Sequence, residues 1–156
     1  MTISLVPMSD KRFPAWLARS QAEYVADLVA AGEPDETAQQ HAAQSLAHAF
    51  PGGAPSPGQS VFEVLDDSGQ EVGSLWIGPD ISDDAGSWWI WDIEVDEQRR
   101  GSGIGRAVML LGEQYAREQG AHTLGLNVFG SNKAARGLYT SLGYQEASVK
   151  MRRRLA

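Results

Sequence analysis

Arg99-Arg100-Gly101-Ser102-Gly103-Ile104-Gly105-Arg106 separates a strand-like run from a helix-like one. Before it, Ser87–Val95 holds Trp88, Trp89, Ile90, Trp91, Ile93 and Val95, with four large apolar residues in succession. That is the pattern of a strand covered on both faces. After it, Ile104, Val108, Leu111 and Tyr115 recur at helical spacing from Gly103 to Gln119, and Gly120 supplies the stop. Three alternate glycines let the backbone turn sharply and present several N–H groups at a helix N-terminus, a nest for an anion, most often phosphate. Arg99, Arg100 and Arg106 add positive charge. A dinucleotide fingerprint would need glycine at position 106, which is Arg, and no Gly-Lys-Ser/Thr of a Walker loop is present.

The rest of the chain fits around this unit. Residues 9 to 50 read as two helices. Ser9 or Asp10 caps the first, Gly32 stops it, and Pro34 with Asp35 and Glu36 opens the second. A Pro/Gly-rich loop from Pro51 to Gly58 leads to two short strands, Ser60–Leu65 and Glu71–Ile77, joined by the turn Asp66-Asp67-Ser68-Gly69. Beyond the central helix, Thr123–Phe129 reads as a strand, Asn132–Leu142 as a short helix closed by Gly143, and Val149–Leu155 as a last strand. There is no internal repeat. The 156 residues are one domain's worth of chain, so a single domain over 1–156 is expected.

Composition narrows the chemistry. The chain has no cysteine, which excludes disulfides, a thiolate nucleophile and Cys-ligated zinc. His41 and His48 stand about 10 Å apart along a helix and cannot share a metal ion, so no metal is expected. No run approaches the roughly 18 apolar residues of a membrane span. The first seven residues lack the basic start of a secretory signal, so a cytoplasmic location is expected. The net charge of −7 disfavours nucleic acid as a partner, but it is unevenly divided: residues 1–97 carry −14 and residues 98–156 carry +7. An anionic ligand on the second half and a cationic one near the first would suit that division.

Two motifs combine to identify a family. Arg100-x-x-Gly103-x-Gly105, followed by Asn132-x-x-Ala135-x-x-x-Tyr139-x-x-x-Gly143-Tyr144, closely resembles the GNAT superfamily of N-acetyltransferases over about Trp88 to Tyr144. The resemblance implies an α/β fold of the α+β type, with a twisted, mostly antiparallel sheet of six to seven strands, about four helices and a splayed central strand pair ending at Val95 and Phe129. It implies acetyl-CoA as acyl donor. Backbone groups of Ile93 and Val95 would hold the pantetheine arm, and N–H groups of Arg100, Gly101, Ser102, Gly103, Ile104 and Gly105 the pyrophosphate. Asn132 would hydrogen-bond the pantetheine arm or help place it, and Tyr139 would lie near the thioester sulfur. The family is also compatible with a homodimer. Independently of the resemblance, a phenol with an ordinary pKa of about 10 is protonated at neutral pH and can supply a proton to a departing thiolate.

The acceptor amine must lose a proton, and here the sequence departs from the family. Positions where GNAT enzymes place a basic side chain hold Asn127, Trp89 and Trp91. The carboxylates left near the splay are Glu94, the favoured base, and Asp92 behind it; loss of the proton to water is a third route. Strict alternation sets both on the face opposite Trp89 and Trp91 unless the strand bulges. The expected activity is transfer of an acetyl group to a primary amine, cationic rather than acidic, by direct attack in a ternary complex. The alternative is an acyl-CoA-binding module without turnover.

Overall fold

The computed structural model describes residues 2–156. Five strands form one sheet: β1 (Ser4–Pro7), β2 (Ser60–Leu65), β3 (Glu71–Pro79), β4 (Ser87–Val95) and β5 (Thr123–Leu126), neighbours in space in chain order. The first three pairings are antiparallel and β4–β5 is parallel. Four helices accompany it: α1 (Phe13–Ala30), α2 (Asp35–Ala49), α3 (Ile104–Glu118) and α4 (Lys133–Ser141). α3 supplies the crossover that parallel neighbours require. No helix among the described residues is long and apolar enough to cross a membrane.

The sheet separates two cores. On one face, Leu75, Ile77 and Ile90 pack with Ile104, Val108 and Met109 of α3 and with Tyr139 of α4. On the other, Val61 and Trp76 pack with Phe13 and Trp16 of α1 and with Leu46 and Phe50 at the end of α2. Full burial of a side chain such as Leu75 or Ile77 is worth about 1.5–3 kcal/mol, so this doubly covered central ladder is the rigid part of the scaffold. Trp16 Nε1 donates to Ser74 Oγ (3.1 Å) inside the second core, satisfying the one polar atom the indole carries there.

Two expectations are corrected. The sheet has five strands rather than six to seven, and Val149–Leu155 forms no strand, because the backbone from Gln145 onward enters no ladder. The strand expected over Thr123–Phe129 stops at Leu126, for a reason that lies in β4. The β3–β4 register runs Trp76↔Asp92 and then Ile77↔Ile90, leaving Trp91 as an extra, bulged residue. β5 pairs with β4 only from Ser87 to Ile90, up to the bulge; beyond it the two chains part. The short β1, absent from the sequence reading, pairs with β2 over four residues that are mostly exposed and carry no strong alternation.

Candidate active site

The glycine loop is a turn that only glycine satisfies easily. Gly101 and Gly103 have φ of 77° and 88°, and nothing lies within 4 Å of a β-carbon built on either. Gly103 is the residue just before α3, so the N–H groups of Ile104, Gly105 and Arg106 are the unpaired first donors of that helix. The empty space over the two glycines together with these donors is a cradle that fits a pyrophosphate. Ser102 Oγ donates to the Arg99 carbonyl (2.5 Å) and stiffens the turn. The arginines are partly committed: Arg99 Nη1 lies 3.2 Å from Asp66 Oδ2, and Arg106 Nη2 donates to Ser141 Oγ (2.6 Å). Gly105 passes under α4, where a β-carbon would come within 3.3 Å of Leu138 Cδ2.

The open edge of β4 leads away from this loop. The Asp96 N–H donates to the Val72 carbonyl, which turns the peptide groups of residues 92, 94 and 96 toward β3. Those of Ile93 and Val95 therefore face the gap between β4 and β5, where a strand-like ligand can pair with them. Arg100 Nε already donates to the Val95 carbonyl (3.0 Å), leaving the groups of Ile93 the freer of the two.

The bulge decides where the carboxylates point. Leu75↔Ile93 lies on the α3 face, whereas Trp76↔Asp92 and Ser74↔Glu94 lie on the α1 face. Trp91, the bulged residue, also packs on the α1 side, stacked on Trp76 with ring centroids 5.7 Å apart. Asp92 and Glu94 thus share a face with Trp91, as a bulged strand allows and strict alternation does not. Glu94 Oε2 lies 3.6 Å from Arg19 Nε. Asp92 is different. Its Oδ2 is buried and without a hydrogen-bond partner, and its pKa is pushed up to about 7, first by burial and then by the charges of Glu94, Glu23 and Asp27.

Tyr139 of α4 faces the same gap from the α3 side. It is buried, and its pKa is raised, first by burial and then by the charge of Asp92, so the phenol keeps its proton throughout the neutral range. Asn132 is the N-cap of α4: its Oδ1 accepts from the Ala135 N–H (3.2 Å), which fixes the helix that carries Tyr139. Asp92, Tyr139 and Asn132 all line one cleft of about 1700 Å³.

Three α1 residues escaped the sequence reading. Arg19, Glu23 and Asp27 stand four apart on one helical face, a signal that was present and unused. Glu23 and Asp27 line the cleft with pKa values raised, in both cases chiefly by burial. The loop acids are occupied elsewhere. Asp80 accepts from Ser82 and Ser87, Asp84 from the Gly86 N–H, and Glu33 lies 3.2 Å from His41 Nδ1. His122 Nε2, 3.3 Å from Asp84, is exposed. Among the described residues no group of three or more His, Cys, Asp or Glu could hold a metal ion.

Known proteins share both the fold and the sequence. The uncharacterized N-acetyltransferase YycN of Bacillus subtilis is 31% identical over 156 residues, covering 99% of this chain and 100% of that protein. Its crystal structure superposes with a TM-score of 0.91 over 99% of each chain. At the level of fold alone, AAC(6')-Iy in complex with the bisubstrate analog CoA-S-monomethyl-acetylneamine is similar at 13% identity, with a TM-score of 0.61 over 100% of this chain and 99% of that one. The family model described as acetyltransferase (GNAT) family matches residues 20–144, which take in the later part of α1, the bulged β4, the glycine loop and α4. With the splay and the cradle already in place, that match makes the chain an acetyltransferase of the GNAT family.

Proposed function

We propose that this acetyltransferase moves the acetyl group of acetyl-CoA to a primary amine by direct attack, with Asp92 taking the amine's proton and Tyr139 giving one to the sulfur. Acetyl-CoA supplies an activated carbonyl bonded to a good leaving group. The protein supplies the rest. The donors of Gly101–Gly105 hold the pyrophosphate, the open peptide groups of Ile93 and Val95 hold the pantetheine arm, and the Asn132 cap keeps Tyr139 where the arm ends. The observation that carries this reading is the buried, unpartnered Oδ2 of Asp92 on the bulge. A carboxylate with a pKa of about 7 is a useful base at neutral pH, whereas an ordinary one near 4 is too weak. Glu94, which the sequence favoured, faces Arg19 and acts in this proposal through its charge on Asp92. No covalent enzyme intermediate is needed, in keeping with a chain without cysteine.

The acceptor proposed is cationic. Glu23, Asp27 and Asp92 line the same cleft, and Trp89 and Trp91, with ring centroids 6.2 Å apart, offer partly exposed aromatic faces beside them. Such a field attracts an ammonium group, and an indole face holds one. The test is release of free CoA thiol with spermidine, a lysine-containing peptide, an arylalkylamine and glutamate as acceptors. Turnover is expected with the first two and weakest with glutamate. Release with none of them overturns the amine assignment, and a preference for glutamate overturns the charge assignment alone.

A further inference from the structure

α4 closes in a turn that a phenylalanine could complete, and a tyrosine stands there. The Tyr144 N–H donates to the Tyr139 carbonyl and the Gly143 N–H to the Thr140 carbonyl, each at 3.0 Å, with Gly143 at a φ of 96°. This paired closure reverses the chain at the glycine and folds the next side chain back onto the last turn of the helix. The two side chains that meet are Tyr144 and Tyr139, with ring centroids 6.1 Å apart and planes at 65°. Apolar contact accounts for both rings. It does not account for the hydroxyl of the partly buried Tyr144, since a tyrosine away from water brings that group to a partner.

A partner is at hand on α3. The Glu113 side chain is only 19% exposed, and its Oε1 lies 3.4 Å from Arg117 Nη2. Its Oε2 is buried and has no hydrogen-bond partner. Leaving such an oxygen without a donor is costly. The Glu113 carboxylate is felt at Tyr144, whose pKa is raised, first by burial and then by that charge. A phenolic hydrogen rotates to suit its acceptor, so the hydroxyl can turn to Glu113. Glu113, Tyr144 and Tyr139 all line the cleft that holds Asp92.

We infer that Tyr144 is a positioning residue: its hydroxyl donates to Glu113 Oε2, and the ring fixed in this way holds Tyr139 at the angle from which it protonates the departing sulfur. The inference rests on the reading of Tyr139 as the acid. The backbone closure fixes where the Tyr139 side chain starts, but its ring still turns about two side-chain bonds. The edge of the Tyr144 ring restricts that turning. Misplacing a reacting group by about 1 Å costs up to about 10²-fold, so a loosened Tyr144 is felt in kcat rather than in binding.

Tyr144→Phe keeps the closure and the ring contact and removes only the hydroxyl, so the circular dichroism is expected to match the wild type. Its kcat should fall by about tenfold, with KM for the amine and Kd for CoA within about twofold of wild type. In a Tyr139→Phe background the same substitution should change kcat by less than about twofold, because the group it positions is absent. Glu113 gives an independent arm, which decides the inference even where Tyr144→Phe fails to fold. Glu113→Ala should lose kcat by about tenfold, and Glu113→Gln, which keeps an acceptor oxygen, should recover most of that loss. Undiminished kcat in Tyr144→Phe, a loss confined to KM, an equal fold loss in both backgrounds, or Glu113→Gln as impaired as Glu113→Ala overturns the inference. The two readings fail separately. Wild-type turnover of Tyr139→Phe removes the acid and this inference with it, whereas a slowed Tyr139→Phe whose loss multiplies with that of Tyr144→Phe removes this inference alone.

Discussion

Arg19 Nε lies 3.6 Å from Glu94 Oε2, while Asp92, two residues earlier on the same face of β4, has a buried oxygen with no partner. One strand therefore carries two carboxylates in different surroundings. Glu94 has a cation beside it. Asp92 has low-dielectric surroundings and the negative charges of Glu94, Glu23 and Asp27, which together hold its proton on to about pH 7.

Asp92→Asn should lower kcat by about 10²-fold or more, the range for loss of a general base. In the wild type, kcat/KM should fall about tenfold per pH unit below about 7, where Asp92 is protonated and cannot accept the amine's proton. The variant should lose that limb. Glu94→Gln removes a charge that raises the Asp92 pKa, so it should keep the limb and move it to lower pH. A limb that stays in Asp92→Asn would remove Asp92 from the base role.

The same group should cost stability. Its folded pKa lies above the unfolded value of about 3.9, so the folded state binds more protons between the two, and stability falls as pH rises through that window. Urea unfolding should show Asp92→Asn more stable than wild type at about pH 8, with the advantage gone below about pH 4. Equal stability at both ends would mean that the carboxylate is well solvated.

Tyr139→Phe should reduce kcat by about 10²-fold with the Kd for CoA little changed, because the hydroxyl acts on the leaving group rather than on the bound nucleotide. The raised pKa of the phenol adds a second expectation: no loss of activity from its ionisation below about pH 10. Unaltered turnover under conditions where chemistry limits the rate would leave Tyr139 a core residue.

Gly103→Asp should weaken CoA binding in calorimetry by at least about tenfold, since it adds a like charge at the cradle and forces a side chain onto a φ of 88°. Gly103→Ala separates the two causes, because it keeps the backbone strain and omits the charge. A folded Gly103→Asp protein with wild-type affinity would move the pyrophosphate elsewhere.

Activity on a polycation should also respond to salt. The Debye length shrinks from about 10 Å at 0.1 M to about 3 Å at 1 M, so kcat/KM for spermidine should fall across that range while a neutral acceptor changes less. Equal responses would remove steering by Glu23 and Asp27.

Much of this was legible in the residues. The run from Trp88 to Val95 is a strand because it has too many large apolar side chains in succession for one face. The alternate glycines at 101, 103 and 105 are a strand-to-helix turn because other residues resist the φ values that Gly101 and Gly103 adopt. Asn132 and Tyr139 stand at helical spacing, and the family pattern follows from them. These are local properties, set within one turn or one strand.

Tertiary structure decided what depends on a neighbour. The sequence of β4 does not mark Trp91 as the extra residue; β3 does, by pairing Trp76 with Asp92 and Ile77 with Ile90. That single insertion parts β4 from β5, turns Asp92 and Glu94 toward α1, and sets Trp91 beside them. The choice between the two carboxylates then falls to Arg19, Glu23 and Asp27, some seventy residues earlier in the chain, since a pKa is fixed by the charges and solvent around a group and not by the group's own identity. Val149–Leu155 shows the same limit from the other side: alternation gives a segment the capacity to be a strand, but a strand exists only where another backbone is within reach of its hydrogen bonds.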